Sequence, residues 1–442
     1  MADKSPGVIG ASHPSLEGLT AEYDQRVQKY VLSELDSGER VISERLGHVR
    51  SVAIGFWIGA GSRDETEAKA GVSHFIEHLL FKGTPTRGPG VIDETISGLG
   101  GEMNAATSHD FTYYHVVLPA RHLHTALDVL ADAARHAAFD PEELERERLV
   151  VLEEIRRAED SPTSSLWRAL SREHFAGHPY GRPILGSPES IRTVSRERIV
   201  DYFRRHYTPA NSAVVVAAPM ETARALDLVR EAFDGWAGTA PEKAARGPAG
   251  PLARVTRVDE IRALQQTYVA LAWRGPLVPG PDVYAADLLV SVLGQGRSSR
   301  LYQELRERQG LVSSVGASFY PQHDAGTIAV ILRTAPAERS RVEAAVLAEV
   351  ARLRETLVDG TELGRALTGV EAGHAFGRET AEGTAYAYGV AETVWTLDFE
   401  LGYVEAASQV TPDRIREAAR RYLDPERFTA VTLGSAPPEE SA

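Results

Sequence analysis

The 442-residue chain contains no cysteine. This excludes disulfides, thiolate metal ligands and a cysteine nucleophile. Any zinc would have to be held by His, Asp or Glu. Long apolar runs are also missing, and none approaches the ~20 residues needed to cross a bilayer. The opening residues, Met1 to Gly7, show neither a basic stretch before an apolar one nor an Arg-rich amphipathic pattern. The expectation is a cytoplasmic protein without a signal or transit peptide. Positive charge is in deficit: 48 Lys and Arg stand against 62 Asp and Glu, a net charge of −14. That disfavours nucleic acid and anionic membranes as partners. Apolar content of 43% and charged content of 25% are ordinary for a globular protein. The length predicts two domains of about 200 residues each.

The sequence carries one compact chemical signal, His74-Phe75-Ile76-Glu77-His78. On a helix, residues four apart leave the same face, so both imidazoles can occupy two corners of one zinc tetrahedron. Glu77 is displaced around the helix, where a base for a metal-activated water would sit. A second reading stays open at this point. Phe75, Ile76, Leu79, Leu80 and Phe81 mark most of this helix as core, and its histidines could simply bond to backbone.

Strand-like runs precede the motif at Tyr30-Val31-Leu32, Arg40-Val41-Ile42 and Ser51 to Ile58. Gly98 to Gly101 breaks the next helix. Glu102 to Thr107 and Phe111 to Leu118 predict a β-hairpin. A helix is predicted to begin at Asp140, with Asp140 as N-cap, Pro141 at the first helical position and Glu143 as capping-box partner. That helix contains Glu147 and Glu154, two turns apart on one face. Such a face is usually solvated, yet Val150 and Val151 lie on roughly the same side. Residues 236–253, rich in Pro, Gly and Ala, predict a linker. An internal duplication flanks it. Thr411 to Ile415 matches Ser195 to Ile199 at an offset of 411 − 195 = 216, and the same offset sets Trp273 on Trp57. At that offset His74, Glu77 and His78 fall on Val290, Leu293 and Gly294, so the second half carries no copy of the motif.

The H-x-x-E-H order, with a glutamate-bearing helix 154 − 74 = 80 residues on, resembles the pitrilysin/insulysin metallopeptidases. The closer likeness is to their small branch, which resembles mitochondrial processing peptidase. His178 to Gly186, Tyr207 to Asn211 and Gly296 to Arg306 are similar to further family signatures, and the likeness covers about residues 28–434. The resemblance implies an α+β fold of two similar α/β-roll halves closing as a clamp. It implies residues 27–235 as the zinc domain and 254–436 as a homologous half without metal, with an arm at 1–26 and a tail at 437–442. It implies His74, His78 and Glu154 as Zn²⁺ ligands, Glu77 as general base and Glu147 as a supporting glutamate. Glu153, about a quarter-turn away, is the lesser candidate. Asn104 and Ala105 would hold an extended peptide on an edge strand. Arg306 matches the arginine of a substrate-gripping Arg/Tyr pair, but Ser313 stands where the tyrosine is expected. The implied activity is zinc-dependent endopeptidase action on short or unfolded peptides. The Ser313 departure points to a homologous partner subunit that supplies the pair, in a heterodimer or else a homodimer; compensation by Tyr302 or Tyr320 is the alternative to a partner. A non-catalytic core subunit is the alternative, and the complete motif argues against it.

Overall fold

The structure is a computed structural model that describes residues 30–242 and 247–435. The predicted arm and tail lie outside the described residues, as do 243–246 of the predicted linker. The chain opens with β1 (Tyr30–Glu34), β2 (Arg40–Arg45) and β3 (Ser51–Ile58), then α1 (Val72–Leu80), α2 (Val91–Gly98), β4 (Glu102–Thr107) and β5 (Thr112–Pro119). There follow α3 (Leu123–His136), α4 (Pro141–Asp160), α5 (Pro162–His174), α6 (Pro188–Thr193), α7 (Arg196–His206), β6 (Ser212–Ala218) and α8 (Thr222–Ala232). The remaining strands are β7 (Thr256–Ile261), β8 (Thr267–Gly275), β9 (Val312–Tyr320), β10 (Gly326–Thr334) and β11 (Thr429–Gly434). The remaining helices are α9 (Val283–Gly294), α10 (Arg339–Glu355), α11 (Gly360–Gly377), α12 (Ala381–Val394), α13 (Leu397–Leu401), α14 (Tyr403–Ser408) and α15 (Pro412–Tyr422). Among the described residues, no helix is long and apolar enough to cross a membrane.

Two sheets result, as the two-half α+β expectation requires. Strands β1-β2-β6-β3-β5-β4 form the first and β7-β11-β8-β10-β9 the second. In each, one pair is parallel and the rest antiparallel: β2 with β6, and β7 with β11. The central strands β3 and β6 are buried along almost their whole length. That fits their continuous apolar sequence, because a strand covered on both faces needs no polar alternation.

The cover on the second face is exchanged between the halves. Helices α1, α3, α4, α7 and α8 pack one face of the first sheet. Its other face is covered by α12 from the second half, through Ala385, Tyr388 and Ala391 against Trp57, Ala213 and Val215. Reciprocally, Leu166, Ala169 and Leu170 of α5 pack on Ala270, Ala272 and Val431 of the second sheet. Each half therefore completes the core of the other. Trp236, first residue of the predicted linker, packs into the first core, 5.5 Å from Phe233 and 6.0 Å from Phe56 between ring centres.

Two sequence expectations need correction. Asp140 does cap α4, accepting from the amides of Glu142 at 2.8 Å and Glu143 at 3.2 Å. The Glu143 carboxylate, however, turns to Arg146 instead of closing a capping box. The duplication is real in β6 and β11, but the Trp57/Trp273 match is one residue out. Ala213 pairs with Trp57, whereas Thr429 pairs with Ala272. Since 429 − 213 = 216 but 272 − 57 = 215, Trp57 corresponds to Ala272 and Trp273 to Ile58. A one-residue slip reverses the face. Trp57 accordingly packs under α12, while Trp273 packs among the second half's own helices.

Candidate metal centre

Helix α1 is held at its start by a buried acid. Glu65 accepts from the amides of Gly71 and Ser73, each at 2.7 Å, satisfying donors that a helix N-terminus leaves unpaired. Burial still pushes the Glu65 carboxyl up to about 8. Arg182 donates to the Glu65 carbonyl at 2.7 Å. Gly186, with φ +75°, lets its loop press on Ala70; a Cβ there would overlap the Ala70 carbonyl. The segment from His178 to Gly186 thus fixes where α1 begins.

From this helix His74 and His78 present their rings 4.7 Å apart, at 68° to each other. The Glu154 carboxylate on α4 meets both. Its Oε2 lies 3.6 Å from His74 Nε2 and 3.4 Å from His78 Nε2. Ligand atoms on a tetrahedral zinc with bonds of 2.0–2.1 Å stand about 3.3–3.4 Å apart. The separation of the Glu154 oxygen from each imidazole is therefore close to that of two ligands in such a shell. Glu153 is exposed and pairs with Arg156 at 2.8 Å, away from the histidines.

Protonation fits the same chemistry. Burial, with His78 alongside, pushes His74 down to about 3, so its imidazole is neutral, as a metal ligand must be. His74 Nδ1 is buried and has no hydrogen-bond partner. His78 Nδ1 is 2.9 Å from Glu147 Oε2, and Lys82 Nζ is 2.8 Å from the other Glu147 oxygen. Burial opposes ionisation of Glu147, but the hydrogen bonds from Lys82 and His78 prevail and lower its pKa. An ionised Glu147 can only accept, so His78 Nδ1 carries a proton; in the neutral imidazole that metal binding requires, the free lone pair is then on Nε2, the side of Glu154.

Glu77 completes the cluster. His74, Glu77 and His78 each offer a donor atom within 4.8 Å of the others. Thr107 at the end of β4 donates to Glu77 Oε2 at 2.6 Å. Burial raises the Glu77 pKa against that hydrogen bond. The pattern missed Glu65, Lys82 and Thr107. Lys82 was findable, one turn beyond His78 on the same face; Thr107 was not, because only the folded hairpin brings it there.

The substrate residues implied by resemblance sit differently. Asn104 lies on β4, the free edge of the first sheet, and its Oδ1 accepts from the Ala105 amide at 2.8 Å. Arg306 is exposed in the π-helical segment Tyr302–Arg308, with its guanidinium 5.0 Å from the Tyr302 ring. That segment packs on β9 and α10 of the second half, not on the histidine cluster. Ser313 accepts from Gln266 at 3.1 Å and donates to the Arg333 carbonyl at 3.3 Å. A buried ionic group joins the halves nearby. Arg63 meets Asp110 at 2.9 Å and Asp324 at 3.3 Å, and Tyr180 donates to Asp110 at 2.6 Å.

Comparison with known proteins agrees with this geometry. Residues 40–188 match the family described as Insulinase (Peptidase family M16), and residues 193–370 match the Peptidase M16 inactive domain. A Mycobacterium tuberculosis protein named an uncharacterized zinc protease is 35% identical over 415 residues, covering 90% of this chain and 92% of that one. Bacillus subtilis YmxG, with the same description, is 34% identical over 328 residues, 74% of this chain and 79% of its own. A protease from Helicobacter pylori shares the fold with a TM-score of 0.86 at 24% identity, over 92% of this chain and 99% of that one. A Pseudomonas fluorescens structure described as a peptidase M16 inactive domain does so at 0.83 and 19% identity, over 92% and 98%. Two family matches in tandem and relatives called zinc proteases along nearly the whole length make this chain a member of the M16 peptidase family.

Proposed function

We propose that the chain is a catalytically competent zinc endopeptidase, with His74, His78 and Glu154 as the metal ligands and Glu77 as general base. The observation that carries this reading is the meeting of both imidazole Nε2 atoms with one Glu154 oxygen, beside a half-buried Glu77. Zinc at such a site supplies Lewis acidity toward a carbonyl and makes water a nucleophile near neutral pH. Glu77 takes one proton from the attacking water as its oxygen bonds to the peptide carbonyl carbon. It then delivers that proton to the amine as the C–N bond breaks, so no proton is left over. The Thr107 hydroxyl fixes the carboxylate for both transfers. Glu147, held by Lys82, orients His78 and keeps its Nε2 free. The open edge of β4 suits an extended peptide by strand addition, with Asn104 and Ala105 along it.

A partner subunit is part of the proposal. Ser313 spends its hydroxyl on Gln266 and Arg333, and Arg306 rests on Tyr302, which supports a second homologous subunit supplying the gripping pair. The test is zinc content and hydrolysis of a quenched peptide, for wild type and Glu77→Gln. Wild type should hold one zinc and cleave, weakly when alone and fully with its partner; Glu77→Gln should hold zinc and not cleave in either case. Near-normal turnover by Glu77→Gln removes Glu77 as the base. Full turnover by the lone chain removes the partner.

A further inference from the structure

A cavity of about 560 Å³ lies on the face of the first sheet that the exchanged helix α12 covers, and both halves build it. Its floor is Trp57 on β3 with Tyr113 and His115 on β5; its walls come from α11 and α12. Register places this cavity beside the proposed cleavage site. Tyr114, Val116 and Leu118 of β5 turn into the first core, so Tyr113 and His115 turn to the opposite face. On β4, Ala106 pairs with Tyr113 and Asn104 with His115, which puts those four side chains on one face. Thr107, next along β4, points the other way, to Glu77. A peptide added to the β4 edge alternates in the same manner. Successive side chains go to the metal side and to the cavity side, and small Ala106 leaves the path to the cavity open.

The chemistry of the walls selects the side chain. Trp57 is fully buried, one ring face stacked on Tyr113 with centres 4.5 Å apart, and its indole N–H has no partner. The Trp395 N–H is likewise unpartnered. Phe376 is 74% exposed and Tyr386 46%, so two aromatic surfaces in the cavity are uncovered. The acids present are already engaged: Glu400 pairs with Arg378 at 2.9 Å, and Glu382 lies 3.1 Å from His115. Helix α11 adds a second sign. Gly364, Gly369 and Gly373 lie inside it, each costing helix stability relative to Ala. A Cβ at any of them would meet nothing within 4 Å, so the chain itself makes no use of their small size. Gly373 and Gly377 line the cavity, where a missing Cβ admits the close approach of another backbone.

We propose that this cavity is a side-chain subsite. It takes one large apolar side chain, aromatic or Leu/Met, of the peptide lying along β4, which packs on the exposed Phe376 and Tyr386 rings and against the glycine face of α11. The inference rests on the peptidase reading, and its test separates the two. Full-length Glu77→Gln binds without turnover, so fluorescence anisotropy is measured with labelled decapeptides of Gly, Ser and Ala carrying one Phe at successive positions. One register should bind about tenfold tighter than its Ala counterpart. Gly373→Leu, which fills the cavity and favours helix, and Tyr386→Ser should each abolish that gain, with unchanged thermal midpoints excluding misfolding. A gain absent from every register, kept in both variants, or equalled by Lys in place of Phe overturns the subsite. If the Phe gain is present but wild type cleaves none of the peptides, the subsite stands and the peptidase reading falls.

Discussion

The two halves share one scaffold and treat the same positions in opposite ways. The counterpart of the motif helix α1 is α9, whose buried positions, Ala286, Leu289, Val290 and Leu293 among them, are all apolar. Counted from the N-caps Asp140 and Asp359, an offset of 359 − 140 = 219, Glu147 and Glu154 become Ala366 and Gly373 on α11. The polar positions have gone apolar together. Val290 and Leu293 are fully buried in the second core, and Ala366 is buried with them. Gly294 brings α9 onto β9 so closely that a Cβ would overlap the Ala317 amide. Where His78 reaches across to Glu154, the second half has a helix pressed against a strand. The lesson is one of desolvation. Carboxylates and imidazoles this buried stay only where they have one another, a lysine or an ion, and without that use the stable alternative is hydrocarbon.

That contrast can be broken at several points. The largest effect is expected at Glu77. Glu77→Gln should lower hydrolysis by about 10²–10⁴-fold with zinc content unchanged, as loss of a general base does. Glu147→Gln should weaken zinc binding by about 10–100-fold, the usual effect of removing a partner that orients a ligand. Competition with a chelator reads this out, and unchanged affinity would show that Glu147 does not orient His78. In the second half, Gly294→Ala should cost about 1–3 kcal/mol of stability by overpacking α9 against β9, seen as a lowered thermal midpoint. A change in the motif helix itself, His78→Ala, meets no such wall and should cost zinc, not fold.

The smallest effect concerns the exchanged helix α5. His174, bonded to Thr429 of the second sheet at 3.1 Å, is pushed down to about 3 by burial, with Arg274 adding to it. A depressed histidine holds its stabilising contribution in full above the unfolded value near 6.5 and loses it as pH falls toward 3. From pH 7 to 5.5 the chain should lose about 1 kcal/mol through this group. His174→Gln should flatten that part of the stability profile, and an identical slope in the variant would acquit His174.

Much of this was legible in sequence because it is local. The i, i+4 imidazoles, the Asp140 cap and the hairpin from Glu102 each depend on a few neighbours, and each is found where periodicity put it. The choice of Glu154 over Glu153 rested on family pattern; in the fold Glu154 lies against both imidazoles, while Glu153 pairs with Arg156. What was not legible depends on partners far along the chain. Nothing in Pro162 to His174 says that α5 covers the other half's sheet, since an amphipathic helix shows that it has a partner but not which. The Trp57/Trp273 match misled because aligned tryptophans carry no information on pleat, and one residue of slip reverses a face. Glu65 and Thr107 act through contacts that only the tertiary fold creates.

The central claim is that two imidazoles of α1 and the Glu154 carboxylate enclose one divalent ion. The most direct measurement is an anomalous difference map at the zinc edge from crystals of the zinc-loaded chain. The account predicts a single strong peak about 2.0–2.2 Å from His74 Nε2, His78 Nε2 and a Glu154 oxygen, with the Glu77 carboxylate beside it and no peak near Val290. A peak elsewhere, or one at the histidines with Glu154 turned away, would contradict it.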